Sequence, residues 1–518
     1  MIVAAPRRRL RQATLVGVVA VFVGVAGYLA ASQVTFGLGF PLDDAWIHQT
    51  YARNLALRGE WAFVPGQASG GSTAPLWTAL LAIGARLGSD PRSWAYLVGT
   101  AALAAAEAIA IRGYRPGAAR SEMWVVWLGV IFALEWHLVW AAASGMEVIL
   151  LVALTAAVMR LSLPAVHKPL LVGALVGVGI WIRPDAVSLG LIPLLSIAAA
   201  RGLPARARGE GLLRLAVGAA LPAIPYLFFN VRTAGTIWPS TFYAKQAEYA
   251  ALRQAPYLSR LLRLALAPLT GSGFLLLPGV ALVVVEAIRA KRWADLGPPA
   301  WALLYLGTFA ALLPVAYQHG RYQIPVLPVI LILGWDGIQR AASSSAGAIV
   351  RVLTRAWAVS TVVVTLLFAG LGARAYAVDV ALIETEMVEA SLWIAAHTEP
   401  EALIAAHDIG ALGYFGQRPV LDLAGLADAE VIPILRDEAS LAQFLTQSGA
   451  SYLMTFPGWY PSLTRCAQPA HASNGSFSPR QGGENMVVYH WPNPPAVPPE
   501  GCMLYSPRPG GAAFVTDE

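Results

Sequence analysis

Two acids, Asp43 and Asp44, stand side by side in the stretch GFPLDDAWIHQTYARNLALRGEW, just beyond a long apolar run. A carboxylate pair next to hydrocarbon is costly, and in membrane chains such groups are usually retained for function. The chemistry open to the pair is general-base chemistry, the removal of a proton from an attacking hydroxyl. Its structural alternative is the capping of an interfacial helix. Other polar loops add the acids Glu147 and Asp185 and the cations Arg53, Arg183, Arg232, Lys245 and Arg321. Such cations would stabilise the charge of a departing phosphate. Each also has a structural reading. Glu147 would start a helix, Arg183 and Asp185 would pair across a helix break, and Lys245 would snorkel to headgroups. His319 and His407 suit structural as well as catalytic roles.

The elements that must position these groups are membrane spans. The chain of 518 residues is 57% hydrophobic and 13% charged, with a mean hydropathy of +0.58. Soluble domains carry about 25% charged residues. Seventeen Trp and seventeen Tyr suit a protein with many membrane–water interfaces. The net charge of +6 does not indicate a nucleic-acid partner, because the basic residues lie in short loops between apolar segments.

Arg7, Arg8, Arg9 and Arg11 precede an apolar run over 15–36 that is longer than a signal-peptide core and has no small-residue cleavage site. It reads as a retained first span with the N-terminus in the cytoplasm. Further apolar segments lie at 75–111 (one net crossing), 123–141, 147–158, 169–200 (a hairpin broken at IRPD), 215–229, 261–288, 299–317, 322–338 and 357–371. They give about eleven crossings. The basic clusters then alternate onto the cytoplasmic face. The loops PLDDAWIH, ASGME, IRPD, NVRTAGTIWPSTFYAKQ and YQHGRYQ all fall on the outer face of the plasma membrane.

From about residue 375 the composition changes. EALIAAHDIGALGYF reads as a strand, a turn, then a short helix or loop, while SYLMTF and MVVYHW read as strands. The expected organisation is a multi-pass α-helical membrane domain over 1–374, with its first external loop at 37–74, followed by a small soluble α/β domain over 375–518 on the exoplasmic side. No Gly-rich phosphate loop and no zinc-type Cys/His spacing occurs. An Asp-Asp pair could hold a divalent cation, and that remains open.

The run DDAWIHQTYARNLALRGEWAFVPGQASGGSTAPLWT resembles the first external loop of the GT-C superfamily of membrane glycosyltransferases. SGME, RPDA, PSTFYAK, HGRYQIPVLP and HDIGALGYFGQRPVLDLAGL resemble blocks in the same order in its bacterial multi-pass members, arabinofuranosyltransferases among them. The likeness covers about residues 10–460. PST stands where PNT is expected and SGMEV where SGMET is expected, which bears on the subfamily more than the class.

The resemblance implies an inverting hexosyl- or pentosyltransferase. It would use a polyprenyl-phosphate sugar as donor and a glycan, lipid or protein as acceptor, at the membrane lipid surface. On this reading Asp44 or Asp43 is the base, with Asp44 preferred because Asp43 better suits an N-cap. Lys245, Arg321 and Arg183 would hold the donor phosphate, and Glu147, Tyr243 and His319 would contact substrate. The alternative is a transporter or flippase of lipid-linked glycans, which would line a central cavity with its charges. Cys466 and Cys502, the only two cysteines, both lie in the exoplasmic tail and are expected to form a disulfide.

Overall fold

The computed structural model describes residues 4–113, 122–162, 168–200, 203–343 and 347–491. The chain divides into two compact units. The first comprises Met1–Leu38, Thr73–Trp238 and Tyr249–Val378, and the second comprises Gly39–Ser72, Pro239–Glu248 and Asp379–Glu518. Compactness thus groups residues 39–72 and a short helix near 240 with the C-terminal residues. The sequence had drawn its boundary at 374/375.

The first unit is helical. Six helices among the described residues are long and apolar enough to cross a membrane: Leu10–Thr35, Pro91–Gly113, Ala205–Ala234, Ser272–Arg289, Tyr317–Ala342 and Ala348–His397. A seventh results if Met123–Leu134 and Trp136–Ala143, bent by 50°, are one span. The expected count of about eleven also took in shorter apolar segments, and helix length does not confirm it. In the structure these are short helices such as Val148–Ser162, Pro169–Ile182 and Pro184–Ala198.

Two breaks have local causes. At IRPD, Pro184 lacks an N–H and forces Arg183 out of the helical region, to φ −158° and ψ 140°. This is the break read in the sequence. At the bent pair, Glu135 leaves the helix and its carboxylate accepts from Leu138 N–H at 3.0 Å, capping the helix that follows. Elsewhere small residues let backbones meet. A Cβ on Gly173 would lie 2.1 Å from the Leu215 carbonyl oxygen, and one on Gly218 would lie 2.2 Å from that of Leu170. The helices Pro169–Ile182 and Ala205–Ala234 therefore pack in the small-residue mode of membrane bundles.

The second unit carries a five-stranded sheet of order β2-β1-β3-β5-β4. Its strands are β1 (Ile404–Ala406), β2 (Val420–Asp422), β3 (Tyr452–Thr455), β4 (Gln468–Ala472) and β5 (Val487–His490). β1 runs parallel to β2 and β3, while β5 is antiparallel to β3 and β4. One core cluster packs Leu421, Leu441, Leu445, Leu453, Tyr489 and Trp491. The chain steps from β1 to one side and returns for β3 on the other, so a topological switch point lies at the carboxyl ends of β1 and β3, where open sheets bind ligands.

Candidate active site

The second unit gathers its titratable side chains at that edge. β1 ends at Ala406 and is followed at once by His407 and Asp408. Asp422 is the last residue of β2, and the loop after β3 carries Trp459 and Tyr460. The helix Asp44–Arg58 and the helix Ser240–Glu248 complete the group within the same unit.

Asp43 occupies the N-cap position of helix Asp44–Arg58, but its side chain makes no cap hydrogen bond there. This corrects the capping expectation. Its two carboxylate oxygens instead accept from the backbone N–H groups of Gly410, at 2.6 Å, and Ala411, at 2.7 Å. The fit depends on the missing side chain at Gly410, since a Cβ there would lie 2.0 Å from the Asp43 carbonyl oxygen. Asp44 has a different environment. Its carboxylate is partly exposed and faces the Lys245 ammonium at 3.4 Å.

The helix bearing Lys245 is tied down at its start. Ser240 donates to the Leu426 carbonyl at 2.6 Å and Thr241 to that of Gly71 at 2.7 Å. Serine at 240, where asparagine was expected, supplies a hydroxyl that makes such a bond. Tyr243 lies on the same helix, partly exposed, with its ring edge-on to Phe242.

His407 Nδ1 lies 2.7 Å from the Tyr460 hydroxyl, and its Nε2 lies 3.5 Å from Glu248. Burial disfavours the imidazolium, but Glu248, Asp408 and Asp422 outweigh it and raise the His407 pKa. Asp408 is raised by burial and by Asp44 and Glu248, against the pull of His407 and Lys245. Asp43 is raised by burial and by Asp408, although its two backbone donors favour the carboxylate. Asp422 is raised by burial and eased by N–H groups from Ala424, Ala427 and Asp428. Acids crowded in this way hold protons at pH values where ordinary carboxyls are ionised, which is characteristic of functional sites.

Sequence reasoning missed Asp408, Asp422, Glu248 and Tyr460 and left His407 with a structural reading. His407 and Asp408 directly follow β1 and Asp422 ends β2, so the end of a short apolar run was their signal, whereas Glu248 at the end of a helix and Tyr460 in the loop after β3 carried no such mark.

Glu147, Arg183, His319 and Arg321 lie in the first unit. Arg183 is bracketed by Glu147 Oε1 at 3.0 Å and Asp185 Oδ1 at 2.9 Å. Tyr305 donates to Asp185 at 2.5 Å, and the Arg183 guanidinium lies 5.1 Å from the centre of the Tyr322 ring. Arg321 donates to the Tyr322 hydroxyl at 3.0 Å. His319 has a left-handed backbone, φ 58°, and its ring lies edge-on to Trp136 and Trp140 at 5.3 and 5.4 Å. Among the described residues no group of three or more His, Cys, Asp or Glu side chains is arranged to hold a metal ion. Cys466 is buried and disulfide-bonded. Its expected partner, Cys502, lies outside the described residues.

Comparison of the sequence with curated proteins finds no match. Residues 375–489 match a family described as "Domain of unknown function (DUF8728)". Among solved structures, ArnT from Cupriavidus metallidurans, bound to undecaprenyl phosphate, aligns at 15% identity and a TM-score of 0.62, over 92% of this chain and 98% of that one. The archaeal oligosaccharyltransferase AglB from Archaeoglobus fulgidus, in complex with an inhibitory peptide and a dolichol-phosphate, aligns at 11% identity and a TM-score of 0.57, over 85% and 69% of the two chains. The arabinofuranosyltransferase AftD from Mycobacteria matches more loosely, at 17% identity and a TM-score of 0.45, over 91% of this chain and 40% of that one. At such identities ArnT and AglB speak to fold. The chain shares its fold with ArnT and AglB.

Proposed function

We propose that this protein is an inverting glycosyltransferase that moves a sugar from a polyprenyl-phosphate donor to an acceptor hydroxyl at the outer face of the plasma membrane, with its N-terminus cytoplasmic. The observation that carries this reading is the pairing of Asp44 with Lys245 beside a cluster of acids at the carboxyl edge of the parallel strands, in a GT-C fold. ArnT and AglB, of the same fold, were solved with polyprenyl-type phosphates.

Asp44 is the base. It removes the acceptor proton, and the freed oxygen attacks the anomeric carbon from the side opposite the phosphate. The anomeric C–O bond to phosphate breaks, and polyprenyl phosphate leaves with the bonding electrons. Lys245 is the cation for that phosphate. A phosphate reaching Lys245 competes with Asp44 for the ammonium, and a carboxylate that loses a cationic partner becomes more basic. Donor arrival thereby prepares the base. Asp43 has both oxygens engaged by backbone donors and acts by positioning the start of helix Asp44–Arg58 against the loop after β1.

In the membrane unit, Arg321 remains a candidate for phosphate contact. Arg183 is less suited, because two carboxylates already match its charge. The test is transfer of labelled pentoses and hexoses from synthetic polyprenyl-phosphate donors by the purified full chain. Asp44→Asn should cut turnover by about 10²–10⁴-fold, the usual reach of acid–base catalysis. Lys245→Ala should raise donor KM or slow departure of the phosphate. Undiminished turnover in Asp44→Asn would remove this assignment.

A further inference from the structure

The loop after β3, FPGWYP, presents a flat aromatic surface beside the acid cluster. Trp459 is 48% exposed, whereas its neighbour Tyr460 is buried. Leaving that much indole in water forgoes a large apolar contact, and an exposed aromatic set among converging polar groups marks a binding surface. The loop is held in place. The Gly458 N–H donates to Glu484 at 2.6 Å, the Trp459 N–H donates to the Phe456 carbonyl at 3.0 Å, and the Phe456 ring lies 5.1 Å from the indole. On the other side the His407 ring stands edge-on to the indole, 5.1 Å away at 78°. His407 in turn reaches Glu248 and Tyr460. A rigid aromatic plate therefore adjoins an imidazole and a carboxylate at the β1/β3 switch point.

We propose that Trp459 is a carbohydrate-stacking subsite and that the acceptor is a glycan, with one of its sugar rings seated on the indole while its hydroxyls reach the Glu248–His407 pair. The acceptor role rests on the transfer reaction proposed above, whereas the glycan subsite stands without it. A sugar ring has a face of C–H groups and a rim of hydroxyls, so it needs an aromatic plate with planar polar partners at the edge, which is what the loop supplies. A peptide acceptor is served better by an open strand edge. The edges of this sheet are β2 and β4, while Trp459 follows the interior strand β3. A lipid acceptor would call for an apolar groove, whereas the indole adjoins the His407 imidazole and, through it, the Glu248 carboxylate.

The test uses the full chain in lipid nanodiscs and saturation-transfer NMR with linear tetrasaccharides of arabinofuranose, mannopyranose and N-acetylglucosamine, beside a serine-containing hexapeptide. At least one tetrasaccharide should bind the parent. Trp459→Ala should weaken it by about tenfold or more, and Trp459→Phe should retain part of the affinity. In transfer assays Trp459→Ala should raise acceptor KM and leave donor KM unchanged. A rise in donor KM instead would assign the plate to the donor sugar and overturn the acceptor reading. Equal glycan affinity in Trp459→Ala, binding of the hexapeptide but of no tetrasaccharide, or quenching of Trp459 by brominated lipid would overturn the subsite. If the parent transfers no sugar from any donor yet binds glycan in a Trp459-dependent way, the transferase reading fails and the subsite stands.

Discussion

Asp43 and Asp44 are neighbours in sequence with opposite surroundings. One has its oxygens taken by backbone N–H groups 367 and 368 residues away, and the other faces a lysine across an ion pair. The pair itself was legible in the sequence, because adjacent acids beside an apolar run stand out. Their division of labour was not legible, since it depends on Gly410 and Ala411, which no local pattern links to the first loop. The two Asn variants should therefore differ in kind. Asp44→Asn should lose rate while keeping its melting temperature. Asp43→Asn turns an NH2 toward a backbone donor and should lower stability by about 1–3 kcal/mol, the range for a buried group left unsatisfied. Thermal melts run beside the transfer assay separate the two. A pH series adds a second check. Asp43, Asp408 and Asp422 titrate above the ordinary carboxyl value of 3.8, and His407 above the ordinary imidazole value of 6.5. The folded unit thus holds protons more tightly than the unfolded chain. These groups contribute most below the unfolded values, and their contribution falls as pH rises through the raised ones. Asp408→Asn removes a repelling charge, so it should flatten that fall and raise the melting temperature near neutrality. An unchanged slope would show that the acids do not interact.

Among the elements, β1, β3 and β5 could be read from the sequence because IAA, YLMT and VVYH are apolar runs bounded by turn residues. β2 and β4 were not read. β2 is VLD, too short to show alternation and ending in the acid Asp422, and β4 is QPAHA, half-exposed to exposed, with a bulge between Pro469 and His471. β4 exists because β5 offers it hydrogen bonds, a tertiary cause that no local periodicity reports. The turn after β1 is the element on which the site depends most. Gly410→Ala would place a methyl carbon against Asp43 and push the loop carrying His407 and Asp408 away from the helix Asp44–Arg58. Transfer should fall, while the far-UV circular dichroism spectrum stays that of the parent. Full activity in Gly410→Ala would show that the contact positions nothing.

For the whole molecule, composition alone established a helical membrane protein with a small α/β part, and the fold bears this out. The expected count of about eleven crossings is not confirmed by helix length, since apolar helices such as Val148–Ser162 are shorter than 18 residues. The grouping of residues 39–72 with the sheet was hidden, since it rests on contacts distant in sequence such as those of Asp43 with Gly410 and Ala411. One stability prediction belongs at this scale. Cys466 is buried and disulfide-bonded, so Cys466→Ser should lower the unfolding free energy of the C-terminal unit by about 3–4 kcal/mol. An unshifted melt under non-reducing conditions would show that the bond constrains little. The brevity of β1, β2 and β3, at three, three and four residues, has a consequence for descent. His407, Asp408, Trp459 and Tyr460 all lie past the last rung of their strands, so an insertion there disturbs no pairing. On the proposed function, lineages can exchange those loops and with them their choice of sugar. Relatives should then share the rungs while differing in the residues that meet the substrate, and a search keyed to the catalytic loops would overlook kin that the sheet still betrays.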